Sequence, residues 1–315
     1  MRRSNHYSIS SSTSSQRKGP RPATCIPAIG LTLLLAGCSA DYNGERSFWK
    51  AHHLQDSIAK DVKLASPEQI SQIIAAYTLV PKKAPGTVWA ARAQGMVGSL
   101  YAVQKQYEKS RNALAILLRE YNQYQDLVLT ARLTIAKTYE SENRWDEAVK
   151  TYQEISDYHP WSTIGMEAPL YVASKYEEQH KPELARSAYD KAQRFYTTHI
   201  PDAPTAELGI RAKGYLAQTL ERLGRWDQAA KTLEEILQEP KNSNRPLVLL
   251  ALGSIYQTKM GRPEKAVEMY SQLVRDFPKH PYVKFANAQL EHLHAVVTPN
   301  TSPTTTPTAT TPTTP

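Results

Sequence analysis

Residues 133–160 read LTIAKTYESENRWDEAVKTYQEISDYHP, and this stretch decides the fold. The spacing predicts a first helix with Ala136 and Tyr139 on one face, then a short polar turn. A second helix follows, with Ala148 and Tyr152 on one face. Two helices that cross at close range leave no room for a long side chain at the contact, so small residues are required there. The stretch therefore predicts a helical hairpin.

The same spacing of large, small and aromatic residues recurs four more times along the chain. The small residues of the second helices fall at positions 110, 148, 185, 229 and 266, and the last copy has one extra residue in its turn near Gly261. An internal repeat of this kind predicts a stack of hairpins with one continuous core. The predicted packing residues are Gly98, Tyr101, Ala136, Tyr139, Ala148, Tyr152, Ala173, Tyr176, Ala185, Tyr189, Ala217, Ala229, Gly253, Tyr256, Ala266 and Tyr270.

This pattern closely resembles the tetratricopeptide repeat, in which a large, a small and an aromatic residue meet an alanine and an aromatic of the second helix. The intervals of 38, 37, 44 and 37 residues exceed the family's period of about 34, which implies longer helices or loops. The resemblance implies an all-α fold, a right-handed superhelical α-solenoid of about five repeats, over residues 66–296.

Flanking helices are expected at both ends of the repeats. Ser66 followed by Pro67 is typical of a helix N-terminus, and apolar residues at helical spacing follow. After the last repeat, a cap helix is expected over residues 283–294. The apolar residues assigned to these two helices are Ile70, Ile73, Ile74 and Tyr77, and then Phe285, Ala288, Leu290 and Leu293.

Residues 1–37 have the pattern of a bacterial secretion signal. Basic and polar residues precede an apolar run, Ile26–Ala36, that is far shorter than the ~20 residues a spanning helix needs. The run ends in LAGC, which resembles the lipobox of bacterial lipoproteins, so Cys38 is the predicted lipidation site. A plain signal peptide with a chance cysteine is the alternative. Residues 38–65 are predicted to be a tether with one short helix.

Most of the formal charge of +8 belongs to the leader. Five basic residues and no acidic residue precede position 38, so the remaining 278 residues carry a formal charge of +3. A nearly balanced chain has no basic stripe to neutralise phosphates, which argues against nucleic acid as a partner.

Residues 297–315, almost entirely Thr and Pro, are predicted to be a disordered tail, either a glycosylated or wall-spanning tether or a solvated tail without function.

Motifs of catalysis and cofactor binding are missing from the sequence. There is no GxSxG, no phosphate-binding glycine loop and no HExxH. Histidines at 52–53 and at 292 and 294 have the wrong spacing for a metal site on one helix face, and we interpret them as solvated. The prediction is a protein without enzymatic activity, cofactor or metal.

A stack of repeats provides an extended surface for partners, formed by the first helices along its concave wall. The Lys and Asn residues with which chaperone-binding members of the family hold a C-terminal carboxylate are not reproduced, which argues against a chaperone tail as ligand. By the resemblance, the predicted binding groove comprises Lys137, Glu140, Ser141, Ser174, Glu177, Gln218, Glu221, Arg222 and Gln257.

The overall plan, a lipobox followed by about five repeats, resembles the accessory tetratricopeptide lipoprotein of the β-barrel assembly machinery. It implies an interaction scaffold for other envelope proteins or their peptide segments, at the periplasmic face of the outer membrane. In a Gram-positive host it implies the cell surface. The alternative is an accessory factor that positions enzymes of polysaccharide export or cell-wall remodelling.

Overall fold

The computed structural model describes residues 29–59, 61–240 and 242–297, with side chains described between residues 39 and 293. Most of the predicted leader, the side chain of Cys38 and the Thr/Pro-rich tail lie outside these residues. No helix within the described ranges is both long and apolar enough to cross a membrane. The α-helices of the described residues are α1 (Ile29–Ile58), α2 (Pro67–Lys83), α3 (Val88–Val103), α4 (Tyr107–Glu120), α5 (Gln125–Ser141), α6 (Trp145–Tyr158), α7 (Thr163–Glu178), α8 (Pro182–His199), α9 (Ala206–Arg222), α10 (Trp226–Gln238), α11 (Arg245–Thr258), α12 (Pro263–Asp276) and α13 (Val283–Val297).

Five hairpins, α3–α4, α5–α6, α7–α8, α9–α10 and α11–α12, form the predicted repeats. Each helix packs on the next along the chain, α3 also contacts α5, and α7 also contacts α9. Each part of the core is therefore shared between neighbouring repeats, and the fold class is confirmed as an α-solenoid. The structure places the sixteen predicted packing residues in or at the edge of this core: thirteen are buried, and Tyr101, Tyr139 and Tyr176 are half-buried.

Each turn inside a repeat uses one residue in the left-handed region of backbone conformation, Asn143 and Gly224 among them. In the second copy, the amide of Arg144 donates to the carbonyl of Tyr139 at 2.9 Å, which closes the end of the first helix. The turn of the last copy has four residues where the others have three, which confirms the extra residue near Gly261. The long interval of 44 residues arises because α8 has 18 residues and a short 3₁₀-helix, Ile200–Asp202, follows it.

Helix α2 covers the first repeat as predicted. The amide of Gln69 donates to the hydroxyl of Ser66 at 3.3 Å and the amide of Ser66 donates to the side chain of Gln69 at 2.8 Å, which stabilises the helix start. The apolar residues assigned to α2 are all buried. At the other end, α13 packs on α12 with Leu293 buried and Leu290 partly buried, but the other two assigned residues are not on the buried face. Phe285 is 48% exposed and Ala288 is exposed, whereas Ala286 is buried.

The predicted tether is wrong for residues 39–58, which belong to α1 and pack against α2 and α3. Ala51 is buried, and the ring of Phe48 lies 5.5 Å from the rings of both Tyr77 and Trp89. Apolar and aromatic residues at helical spacing explain the difference, because they allow this segment to bury one face against the repeats. The solenoid therefore begins one helix earlier than the sequence indicated.

Candidate protein-interaction surface

The predicted binding groove lies on the first helices of the second to fifth repeats, α5, α7, α9 and α11. All nine predicted groove residues on these helices are accessible to solvent. Five are exposed and four half-buried. The exposed residues are Lys137, Ser141, Glu177, Gln218 and Arg222, and the half-buried residues are Glu140, Ser174, Glu221 and Gln257.

A tyrosine–carboxylate hydrogen bond joins α5 to α7. The hydroxyl of Tyr171 donates to Oε1 of Glu140 at 2.9 Å. Burial, together with this carboxylate, raises the pKa of Tyr171, so its hydroxyl keeps its proton and remains a donor. Glu140 is therefore a bridge between repeats as well as part of the wall.

A second bond of the same kind joins α7 to α9. The hydroxyl of Tyr215 donates to Glu167 at 2.9 Å. Burial is the main cause that raises the pKa of Tyr215 to about 12, and the bond to Glu167 adds to it. The three first helices α5, α7 and α9 are thus connected by neutral tyrosine donors and charged acceptors.

Two predicted groove residues, Glu177 and Arg222, meet across the boundary between repeats. Glu177 accepts a hydrogen bond from the hydroxyl of Tyr189 at 2.7 Å, and Nη1 of Arg222 lies 3.5 Å from the same carboxylate oxygen. Both charged side chains are more than half exposed, so the ion pair contributes little to stability. They present a paired positive and negative charge to a partner.

The remaining predicted residues divide into those with and those without side-chain partners. Gln257 accepts from Tyr270 at 3.1 Å and donates to Gln289 at 2.9 Å, so it connects α11 to α12 and α13. Burial raises the pKa of Glu221. Lys137 and Gln218 form no side-chain hydrogen bond or ion pair with any residue that the structure describes. These two side chains are available to a ligand.

Sequence reasoning did not identify Tyr171 and Tyr215 as residues of this surface. Each directly precedes the large–small pair of its own copy, Val172–Ala173 in one and Leu216–Ala217 in the other. This shared position in the repeat could have indicated that both tyrosines have the same role. The acceptors could not have been assigned in the same way, because Glu140 and Glu167 occupy different positions within their copies.

The sequence predictions for metal binding and for the histidines can be compared with the structure. Within the described part of the chain, no set of three or more His, Cys, Asp or Glu residues could hold a metal ion. His52 is not solvated as predicted but half-buried, with Nδ1 3.2 Å from the hydroxyl of Tyr77, whereas His53 is exposed. The wall formed by the first helices provides hydrogen-bonding groups and charges of both signs.

The chain carries tetratricopeptide repeats. Models of this repeat match residues 131–159, 215–242 and 247–280, which are the second, fourth and fifth copies. A comparison with curated proteins finds no match. Proteins with repeats of this kind generally mediate contacts between proteins, and the described fold is an α-solenoid.

Similar solved structures include three bacterial repeat proteins. The C-terminal part of a tetratricopeptide repeat-containing protein from Cytophaga hutchinsonii is 12% identical, over 79% of this chain and 88% of its own, with a TM-score of 0.48. A thermophilic protein from Thermus thermophilus is 16% identical over 64% and 99%, with a TM-score of 0.38. A repeat protein from Parabacteroides merdae is 12% identical over 80% and 99%, with a TM-score of 0.36.

Proposed function

We propose that this protein is a non-enzymatic scaffold that holds other envelope proteins, or their peptide segments, on the wall formed by its first helices. The observation that carries the proposal is the accessibility of the predicted groove residues on α5, α7, α9 and α11. Their side chains come from successive repeats and include Lys137 and Gln218, which have no side-chain partner among the described residues. A partner that spans several repeats would contact all of these helices at once.

The bonds between repeats support a preformed surface. Glu140 with Tyr171, and Glu167 with Tyr215, join neighbouring first helices at 2.9 Å in both cases. A surface whose parts are already connected loses less conformational entropy when a partner binds. The wall therefore favours recognition of an extended segment or a folded partner over chemistry on a small molecule.

The proposal includes anchoring through an acylated Cys38 at the periplasmic face of the outer membrane. The lipobox-like LAGC supports it, and the helical course of α1 fits it. Gly44, the first buried residue of α1 from position 39 onward, follows Cys38 by six residues, which is about 9 Å along a helix. Tyr42 and Trp49, which are 63% and 42% exposed, lie two turns apart on α1 and are accessible to lipid headgroups, although the ring of Trp49 also lies 6.5 Å from that of Trp89. The repeats would then lie close to the membrane.

Organisation of an envelope assembly complex is the function proposed for this anchored scaffold. Positioning of enzymes of polysaccharide export or cell-wall remodelling is the alternative. Capture of partners from detergent-solubilised membranes separates the two. Barrel-assembly subunits support the first, and glycan enzymes support the second.

Charge reversal on the wall tests the binding surface itself. Lys137→Glu is the sharpest variant, because this side chain has no intramolecular bond to lose; Glu177→Lys and Arg222→Glu extend the test to the next repeats. All three should weaken partner capture while the protein stays folded in a thermal melt. The effects of Lys137→Glu and Arg222→Glu should add approximately, whereas those of Glu177→Lys and Arg222→Glu should not, because these two side chains contact each other. The exposed Lys150 and Lys231 of the second helices are the matched controls. Release of the partner by the controls alone would place binding on the opposite side.

The anchor is tested by Cys38→Ser. Wild-type protein should incorporate labelled fatty acid and sediment with membranes, and the variant should do neither. Wild-type protein that takes up no label would refute the anchor and leave the wall hypothesis intact.

A further inference from the structure

An apolar groove lies on the side of the solenoid formed by the second helices. Helices α6 and α8 both pack against α7, and a cavity of about 500 Å³ opens between them. Ala168, Pro169 and Val172 of α7 form the floor. Tyr152 of α6 and Phe195 of α8 contribute to the two walls.

The shape of the groove matches an α-helix. Its floor residues Ala168, Val172 and Tyr176 are spaced four apart, so the floor follows one stripe of α7. Along α8 the lining extends from Leu184 to His199, which is about 22 Å of helix. That length accommodates four turns of a partner helix, and an apolar stripe at helical spacing is the usual ligand of such a groove.

The charges at the groove are all of one sign. Lys191, Arg194 and His199 line it, and no carboxylate does. Lys191 and Arg194 are exposed, and neither forms an ion pair with a residue in the described ranges. The nearest acid on α8, Asp190, is instead paired with Arg225 at 2.8 Å. Two unpaired cations beside an apolar floor are complementary to an acidic partner.

The equivalent space between α10 and α12 differs from the α6–α8 groove in its charge and in the polarity of its lining. It is lined by three basic and three acidic side chains, so its charges are balanced. Glu234 there accepts a hydrogen bond from Tyr256 and lies 3.8 Å from Lys265. The apolar floor and the excess of positive charge are therefore features of the α6–α8 groove and do not follow from the repeat architecture alone.

We propose that the α6–α8 groove binds an amphipathic α-helix of a partner protein, with the apolar stripe on α7 and an acidic flank against Lys191 and Arg194. This site is separate from the wall of the first helices. It would give the scaffold a second point of attachment, so that two proteins could be held on opposite sides of the same repeats.

Two designed peptides of 16 residues test this proposal. Both carry leucine at positions i, i+3, i+4, i+7, i+11 and i+14, so the apolar stripe continues over four turns; one peptide has glutamate at the flanking positions and the other has lysine. Binding of each fluorescein-labelled peptide to the full chain is measured by fluorescence anisotropy. The variant Lys191→Glu/Arg194→Glu changes the groove, and Lys231→Glu/Lys265→Glu makes the same change beside α10 and α12. Thermal melts establish that both variants are folded.

The glutamate peptide should bind at least tenfold more tightly than the lysine peptide. The groove variant should weaken that binding about tenfold, whereas the control variant should not change it. In ¹³C-methyl spectra, the peptide should shift the signals of Ala188 and Ala192, which line the groove. Absence of binding, equal binding of the two peptides or equal loss in both variants would overturn the proposal. Laurate or anionic vesicles that shift the same methyl signals, where the peptide does not, would assign the groove to lipid and overturn it as well.

Discussion

Gly253 lies directly against the ring of Tyr270. A Cβ atom at Gly253 would be 2.5 Å from Cε1 of Tyr270, which is closer than two non-bonded carbon atoms can approach. Gly98 faces Leu114 in the same way, with the same distance of 2.5 Å to Cγ. In the other copies the corresponding first-helix residue is an alanine, each nearly or fully buried. The contact between the two helices of a repeat therefore sets an upper limit on side-chain size, and that limit differs among copies.

Gly253→Ala should destabilise the protein even though alanine favours the helix. The ring of Tyr270 is fully buried and its hydroxyl is bonded to Gln257 at 3.1 Å, so it cannot move without loss of packing. We expect a cost of about 1 to 3 kcal/mol in the free energy of unfolding. Urea denaturation measures it.

Gly214→Ala is the matched control for that variant. Gly214 lies in the middle of α9, and a Cβ atom there would meet no atom within 4 Å. The substitution should stabilise by about 0.5 to 1 kcal/mol. Equal gains at both positions would mean that the helices of the last repeat can separate without cost.

The repeats could be predicted from the sequence because their decisive contacts are local. Ala136 and Tyr152 lie within one hairpin, so the small and aromatic positions recur within a window that a single pattern describes. The packing of α1 could not be predicted in this way. Phe48 contacts Tyr77 and Trp89, which are 29 and 41 residues further along the chain, and no repeated spacing connects them.

The candidate surfaces were predictable to different degrees. The wall residues follow from repeat register, but the pairing of Glu177 with Arg222 requires the actual separation of two repeats. The α6–α8 groove depends on what is missing from its lining, namely carboxylates. A search of the sequence for reactive or charged motifs does not detect missing carboxylates.

Ala148→Leu tests the crossing point of the second repeat. Ala148 is fully buried in the cluster that includes Tyr152 and Ala173, so three additional carbon atoms must displace neighbours. The expected cost is about 1 to 3 kcal/mol. Glu147→Gln is the adjacent control; it weakens an exposed pair with Arg144 at 2.6 Å and should cost far less than Ala148→Leu. Small and equal losses in a denaturant melt would contradict the assigned register.

The stability of the solenoid should fall in mild acid, in part through His159. Burial, followed by the nearby Arg132, lowers the pKa of His159 below its ordinary value of 6.5. Since the unfolded chain then binds the proton more tightly, stability is greatest above about pH 6.5 and falls as the pH drops towards the pKa of the folded state. His159→Gln should flatten this part of the profile of unfolding free energy between pH 5 and 8. The exposed His53→Gln is the control, and an identical slope in both variants and wild type would exclude His159 as a cause.

Docking of α1 depends on a close approach at Gly44 and on the ring of Phe48. A Cβ atom at Gly44 would lie 3.0 Å from Cβ of Ala84, and Phe48 packs between Tyr77 and Trp89. Gly44→Val should therefore force α1 away from α2, and Phe48→Ala should cost about 2 kcal/mol of local stability.

Hydrogen exchange separates docking from a tether. In the wild type, amides of residues 44–58 should be protected like those of α2, and both variants should lose this protection while α9 to α12 keep theirs, because each repeat contacts only its neighbours. Tyr42→Ala, at a side chain that is 63% exposed, should leave exchange unchanged. Rapid exchange of residues 44–58 in the wild type would indicate that this segment is a tether. The proposal of a short connection between Cys38 and the repeats would then be wrong.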